Sequence, residues 1–136
     1  MDRDAFEKLA DEAFASIPLR FRTRLGNVVI VAEDWPTDEQ NAVGLHEGED
    51  GEDAGDLLGL YEGVAQTDLP YDTSGMLPDR IFLFQGPIED EAEETDGDVF
   101  RVIRETLIHE IGHHFGMDDD EIHRVFEERW EKENGA

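Results

Sequence analysis

His109-Glu110-Ile111-Gly112-His113-His114-Phe115-Gly116-Met117-Asp118-Asp119 is the stretch on which the reading of this chain turns. It closes a longer pattern that predicts a helix from Val99 to Phe115, capped by Asp98. Phe100, Ile103, Leu107 and Ile111 fall along one side of that helix. Val102, Thr106, His109 and His113 fall along the other. A helix apolar nearly all round, with its polar groups in one line, is expected to be central and buried. Gly116 is its natural stop.

The spacing inside the stretch has a chemical consequence. Residues four apart on a helix project side by side, with Cβ atoms ~6 Å apart. Two imidazoles at that spacing can hold one Zn²⁺ at about 2.0–2.1 Å. Glu110, turned by roughly 100° from His109, stands outside the ligand set but beside it. From there it can act as general base on a water and pass the proton on to a leaving amine. A third protein ligand is wanted, and the helix cannot bring it from its own face. Gly116 allows the chain to turn back, because glycine accepts positive φ. Asp119 then follows within reach, with Asp118 and Asp120 as alternatives. If buried, the imidazoles and the glutamate would cost several kcal/mol without partners; a metal would satisfy them.

Read as HExxHxxGxxD, with His109, Glu110, His113, Gly116 and Asp119 in place, the stretch resembles the metzincin-type signature with Asp for the third His, as in snapalysin-like proteases. The whole chain is more similar to the small bacterial zincin-like metallopeptidases, the minimal zincins. Ile81-Phe82-Leu83-Phe84 before an acidic stretch and the doubled histidine, His113-His114, carry that likeness. The resemblance implies an N-terminal helix, a small sheet, the motif helix and a short C-terminal helix. It further implies zinc on His109, His113 and Asp119, with Glu110 as the catalytic base. Only 17 residues follow Asp119 and none is methionine, so the methionine turn of larger metzincins is missing. No sizeable lower subdomain is present either.

Working outward, Ile122, Val125, Phe126 and Trp130 give the apolar face of a last helix from about Asp119. Upstream, Ile81 to Phe84 is the strongest strand signal, closed by Gly86-Pro87, with the proline confining its end to an edge or exit position. As an edge strand it could pair with an extended substrate. Val28 to Val31 and Leu57 to Glu62 predict two more strands. Phe6, Leu9, Ala10, Ala13, Phe14 and Ile17 predict a helix over Asp4–Ile17, broken by Pro18. Arg20, Arg22 and Arg24 form a small basic island. Thr37–Asp56 is rich in Glu, Asp and Gly, and within it Glu47–Asp56 reads as a mobile loop, in which Asp50, Glu52 and Asp53 do not follow a calcium-loop register; Thr67–Pro78 and Glu89–Asp98 read as further loops. The order predicts one α+β domain spanning 1–136, with a small mixed sheet packed against helices around the HExxH helix.

The composition narrows the function. With no cysteine, thiolate metal sites and disulfides are excluded. The formal charge is −25, from 36 acidic and 11 basic side chains. Such a surface repels nucleic acid and anionic lipid, so neither is an expected partner. It reflects either solubility in a salty medium or steering of basic substrates. The N-terminus lacks the apolar stretch of a signal peptide, and a cytoplasmic location is expected.

Around the motif, His114 points about 100° away from His113 and reads as a neighbour of the site more than as a ligand. Glu105 and Thr106 lie one turn earlier and could orient a ligand imidazole. Tyr61, Tyr71 and Arg80 are candidates to stabilise an oxyanion. Glu127, Glu128 and Glu131 are rival third ligands, and His46 and His123 read as exposed. Two functions are weighed. One is zinc-dependent hydrolysis of a bond in a peptide or protein substrate. The alternative is a zinc-stabilised binding or regulatory module with little or no catalysis.

Overall fold

The computed structural model describes residues 1–25, 27–46, 57–63, 78–122 and 124. The elements run α1 (Arg3–Ala15), α2 (Leu19–Leu25), β1 (Val28–Glu33), α3 (Asp38–His46), β2 (Gly59–Glu62), β3 (Asp79–Phe84), α4 (Gln85–Glu94), α5 (Val99–His114) and α6 (Asp119–Ile122). This is the α+β arrangement the sequence predicts. The sheet is mixed: β1 runs parallel to β3, and β2 runs antiparallel to it.

Two sequence expectations are corrected. The strand order is β1-β3-β2, so Ile81–Phe84 lies in the middle of the sheet and has no open edge. Of the two positions open to Pro87, it takes the exit and not an edge. It falls in the first turn of α4, where its missing N–H would have no helical partner anyway. Glu89–Asp98 is not simply a loop, because α4 runs to Glu94 with Ile88 and Ala92 buried under a carboxylate-rich outer face. The chain after Pro18 and Asp38–His46 are helical too, and the expected loop at Glu47–Asp56 lies outside the described residues. In α2, Phe21 and Leu25 are buried. A reciprocal cap opens α3: Thr37 Oγ1 accepts from Gln40 N–H at 3.0 Å, and Gln40 Oε1 accepts from Thr37 N–H at 2.9 Å.

Alternation along the strands divides the sheet into two faces. Val28, Ile30, Ala32, Ile81, Leu83 and Tyr61 join the main core, with Phe6, Ala10 and Ala13 of α1, Ile88 and Ala92 of α4, and Ile103, Leu107 and Ile111 of α5. Val31, Leu60, Phe82 and Phe84 face the other way, in a smaller cluster with Leu57. The motif helix therefore crosses the more thickly covered face. Asp98 caps it by accepting Arg101 N–H, as its sequence predicts. No helix among the described residues is long and apolar enough to cross a membrane.

Candidate active site

The last turns of α5 bring the motif together. His109 and His113 are both exposed, with ring centroids 6.0 Å apart. Two imidazoles at about 2.1 Å from one tetrahedral ion would have centroids about 5 Å apart, close to the spacing of this pair. The expectation that the histidines are buried is corrected. The polar line on α5 begins buried at Val102 and Thr106 and emerges into solvent at His109. The burial argument for a metal therefore fails for the imidazoles. It applies to Glu110, which is only 4 % exposed.

Glu110 meets that burial with a backbone donor. Its Oε1 accepts the N–H of Tyr61 on β2 at 2.8 Å. The strand reaches the helix because residue 59 is glycine. A Cβ there would lie 2.6 Å from Thr106 Cγ2 and 3.0 Å from the Phe82 carbonyl oxygen. A glycine inside a strand is a sequence signal for close approach, and it points here to contact between β2 and the motif helix.

Beyond His114 the chain turns as the glycine requires. Gly116 has φ +79°. Its N–H donates to the His113 carbonyl, and Met117 N–H donates to that of Gly112, both at 2.9 Å. Together these two bonds close the helix in a Schellman motif. Asp118 then caps α6, accepting Glu121 N–H at 2.8 Å. Asp119 is the first residue of α6, and its side chain lies outside the described residues, as do Glu127, Glu128 and Glu131. Ile122, 1 % exposed, packs on Gly112, where a Cβ would come within 2.4 Å of it. Among the described residues, no group of three metal-binding side chains comes together.

The neighbours fall out differently from expectation. The Tyr61 hydroxyl donates to Asp79 Oδ2 at 2.7 Å. Burial first, and Asp79 second, hold that phenol far above its usual pKa. Its one proton is thus directed at Asp79. Arg80 lies on the opposite face of the sheet, ion-paired with Glu62 and over the Phe82 ring, so it does not point toward α5. Tyr71 lies outside the described residues. Thr106 Oγ1 donates to the Val102 carbonyl, and Glu105 pairs with Arg101 on the surface. His114 stacks on the Tyr61 ring, with centroids 4.1 Å apart and planes 14° from parallel. Phe115, next in line, touches His114 and lies under the Arg24 guanidinium of the basic island.

A family model described as zincin-like metallopeptidase matches residues 25–130, a span that contains the whole sheet, the motif helix and the return turn. The chain belongs to the zincin-like metallopeptidase family. Among solved structures, it is similar to a conserved hypothetical protein from Thermo thermophilus. That match has 25% identity and a TM-score of 0.53, covering 85% of this chain and 94% of that one. No curated protein matches it. Membership implies a peptidase-type function and zinc binding in general. The residues fit such an ion in kind, since α5 offers two imidazoles side by side and carboxylates follow after the return turn.

Proposed function

We propose that this protein is a zinc-dependent hydrolase of peptide bonds, with His109, His113 and Asp119 holding the metal and Glu110 as general base. The observation that carries this reading is the paired exposure of His109 and His113 one turn apart, with the carboxylate of the intervening Glu110 held by the Tyr61 amide of an edge strand. Asp119 is favoured over Asp118 as third ligand because Asp118 is committed to capping α6. When bound, zinc would supply Lewis-acid polarisation of the scissile carbonyl and ease deprotonation of a water.

The chain's own residues do the rest. Glu110 takes the water's proton on a carboxylate oxygen and later delivers it to the amine as the C–N bond breaks. Tyr61 N–H holds Oε1, and a carboxylate keeps acceptor capacity for a proton beside one such bond. Peptide binding by strand addition has no place at Ile81–Phe84, a central strand, and the outward Tyr61 N–H of the edge strand β2 is already taken by Glu110. The substrate is a peptide or protein. The −25 charge favours basic segments and disfavours nucleic acid and anionic membranes.

The test is metal content together with turnover on a peptide library. Glu110→Gln should keep zinc and lose turnover, whereas His109→Ala should lose both. A fully active Glu110→Gln would break the mechanism. One observation favours the second reading, a zinc-stabilised binding module: the Glu110 carboxylate already serves a structural hydrogen bond. If the wild-type protein holds zinc and cleaves nothing in the library, that reading prevails.

A further inference from the structure

We propose that Tyr61 is the positioning residue for Glu110: its main-chain amide holds the carboxylate, and its side chain, clamped between His114 and Asp79, keeps the strand where that bond can form. The inference rests on the reading of Glu110 as base, but its structural core can be tested separately.

Strand register supports the first half. Leu58 and Phe84 are linked by the Phe84 N–H to Leu58 carbonyl bond, and the antiparallel pairs continue as Leu60↔Phe82 and Glu62↔Arg80. Hydrogen-bonded pairs alternate in such a ladder, so Leu60 and Glu62 turn their main-chain groups toward β3. Gly59 and Tyr61 turn theirs to the other side, where no described strand lies. The Tyr61 N–H is therefore an edge donor, and Glu110 occupies it at 2.8 Å. A charge-assisted bond of this kind fixes the carboxylate in a way that a solvated side chain on α5 would not be fixed.

The side chain supports the second half. β2 has only four residues and, among the described residues, is held by a ladder on one side alone. Its height over α5 depends on what grips it. Gly59 lets the strand sit directly on Thr106. Tyr61 then bridges outward: its ring lies flat on His114, one turn beyond Glu110 on α5, and its hydroxyl reaches Asp79 at the start of β3. The ring thus ties strand to helix beside the base, and the hydroxyl ties strand to sheet. The arrangement sets the direction of Glu110 without placing the tyrosine on the reacting atoms.

Amide hydrogen exchange on the full chain tests this with and without zinc. In the wild type, the residue 61 amide should be protected. Glu110→Ala should speed its exchange about tenfold to a hundredfold, the loss expected for a bond to a charged acceptor. Glu110→Gln should keep the protection, because the amide oxygen still accepts. Tyr61→Ala should accelerate the same amide about tenfold after correction for intrinsic rates, and Tyr61→Phe, which keeps the stack, should largely restore it. Zinc stoichiometry should be unchanged in all of these variants. Turnover should fall in Tyr61→Ala and return in Tyr61→Phe.

Unchanged protection at residue 61 in Glu110→Ala overturns the bond. Unchanged protection in Tyr61→Ala, or equal acceleration at Ile81 and Leu83, overturns the positioning role. If Tyr61→Ala does not fold, His114→Ala removes the same clamp from the helix side and is read in the same way. A wild-type protein without turnover would sink the peptidase reading while leaving the exchange result to stand or fall by itself.

Discussion

The two faces of the three-stranded sheet are built from alternate residues of the same strands, yet they do different work. One face, through Gly59, Tyr61, Ile81 and Leu83, meets α5 and the main core. The other, through Leu60, Glu62, Arg80 and Phe82, carries a smaller apolar cluster and a surface ion pair. It borders a cavity of about 520 Å³ lined also by Glu33, Gln40 and Val43. Tyr61 and Glu62 are neighbours in the chain. The amide of the first holds the candidate base, while the carboxylate of the second pairs with an arginine turned away from it. On the face that the motif helix covers, a buried carboxylate reaches a main-chain donor of the sheet.

This contrast can be broken by substitution. The largest effect is expected from Glu110→Gln, which should lower peptide turnover about 10²–10⁴-fold, the usual contribution of a general base, with zinc retained. Steady-state kinetics beside metal analysis would check it; a loss under tenfold would separate the motif face from the chemistry. Next, Leu83→Ala on the motif face should destabilise by about 2–5 kcal/mol, since Leu83 is fully buried. On the opposite face, Phe82→Leu should cost markedly less in the same urea titration, because the cluster there is small. Equal losses would mean that the faces are energetically alike.

Gly59→Ala should cost about 1–3 kcal/mol by forcing β2 away from Thr106. Thr106→Ser removes the methyl that the new Cβ would meet, so a double-mutant cycle should recover part of that cost. Additive losses would show that the strand does not rest on the helix there. The smallest effect is expected from Arg80→Ala. Its exposed pair with Glu62 should contribute at most about 1 kcal/mol, less in high salt. A larger loss in thermal melts would make the second face more than a covering surface.

Much of the motif was legible in the sequence because its determinants are local. Asp98 as cap, Gly116 as stop and the four-residue histidine spacing act within one helix and its ends, where period and capping chemistry decide the outcome. The helix α3 was also locally encoded, by Thr37-Asp38-Glu39-Gln40, although the charge-rich composition that begins at Thr37 masks that signal. The helix α4 is harder to see, since Ile88 and Ala92 are its only fully buried apolar side chains beyond Pro87. The proline after β3 misdirects more sharply. It suits a strand at an edge and a first helical turn equally, and only packing distinguishes the two.

By itself, the sequence determined the α+β class, the motif helix with its two imidazoles on one line, and the glycine turn that ends that helix. Helical period, capping and glycine backbone freedom operate over a few residues and need no distant partner. Tertiary structure alone decided that β3 is central, that the imidazoles face solvent, and that Glu110 is buried against the Tyr61 amide. Those outcomes depend on which strand lies beside which, and on how closely β2 approaches α5 across 49 residues of chain. A main-chain donor carries no side-chain signature, so its use by a distant carboxylate becomes visible only once the fold brings the two together.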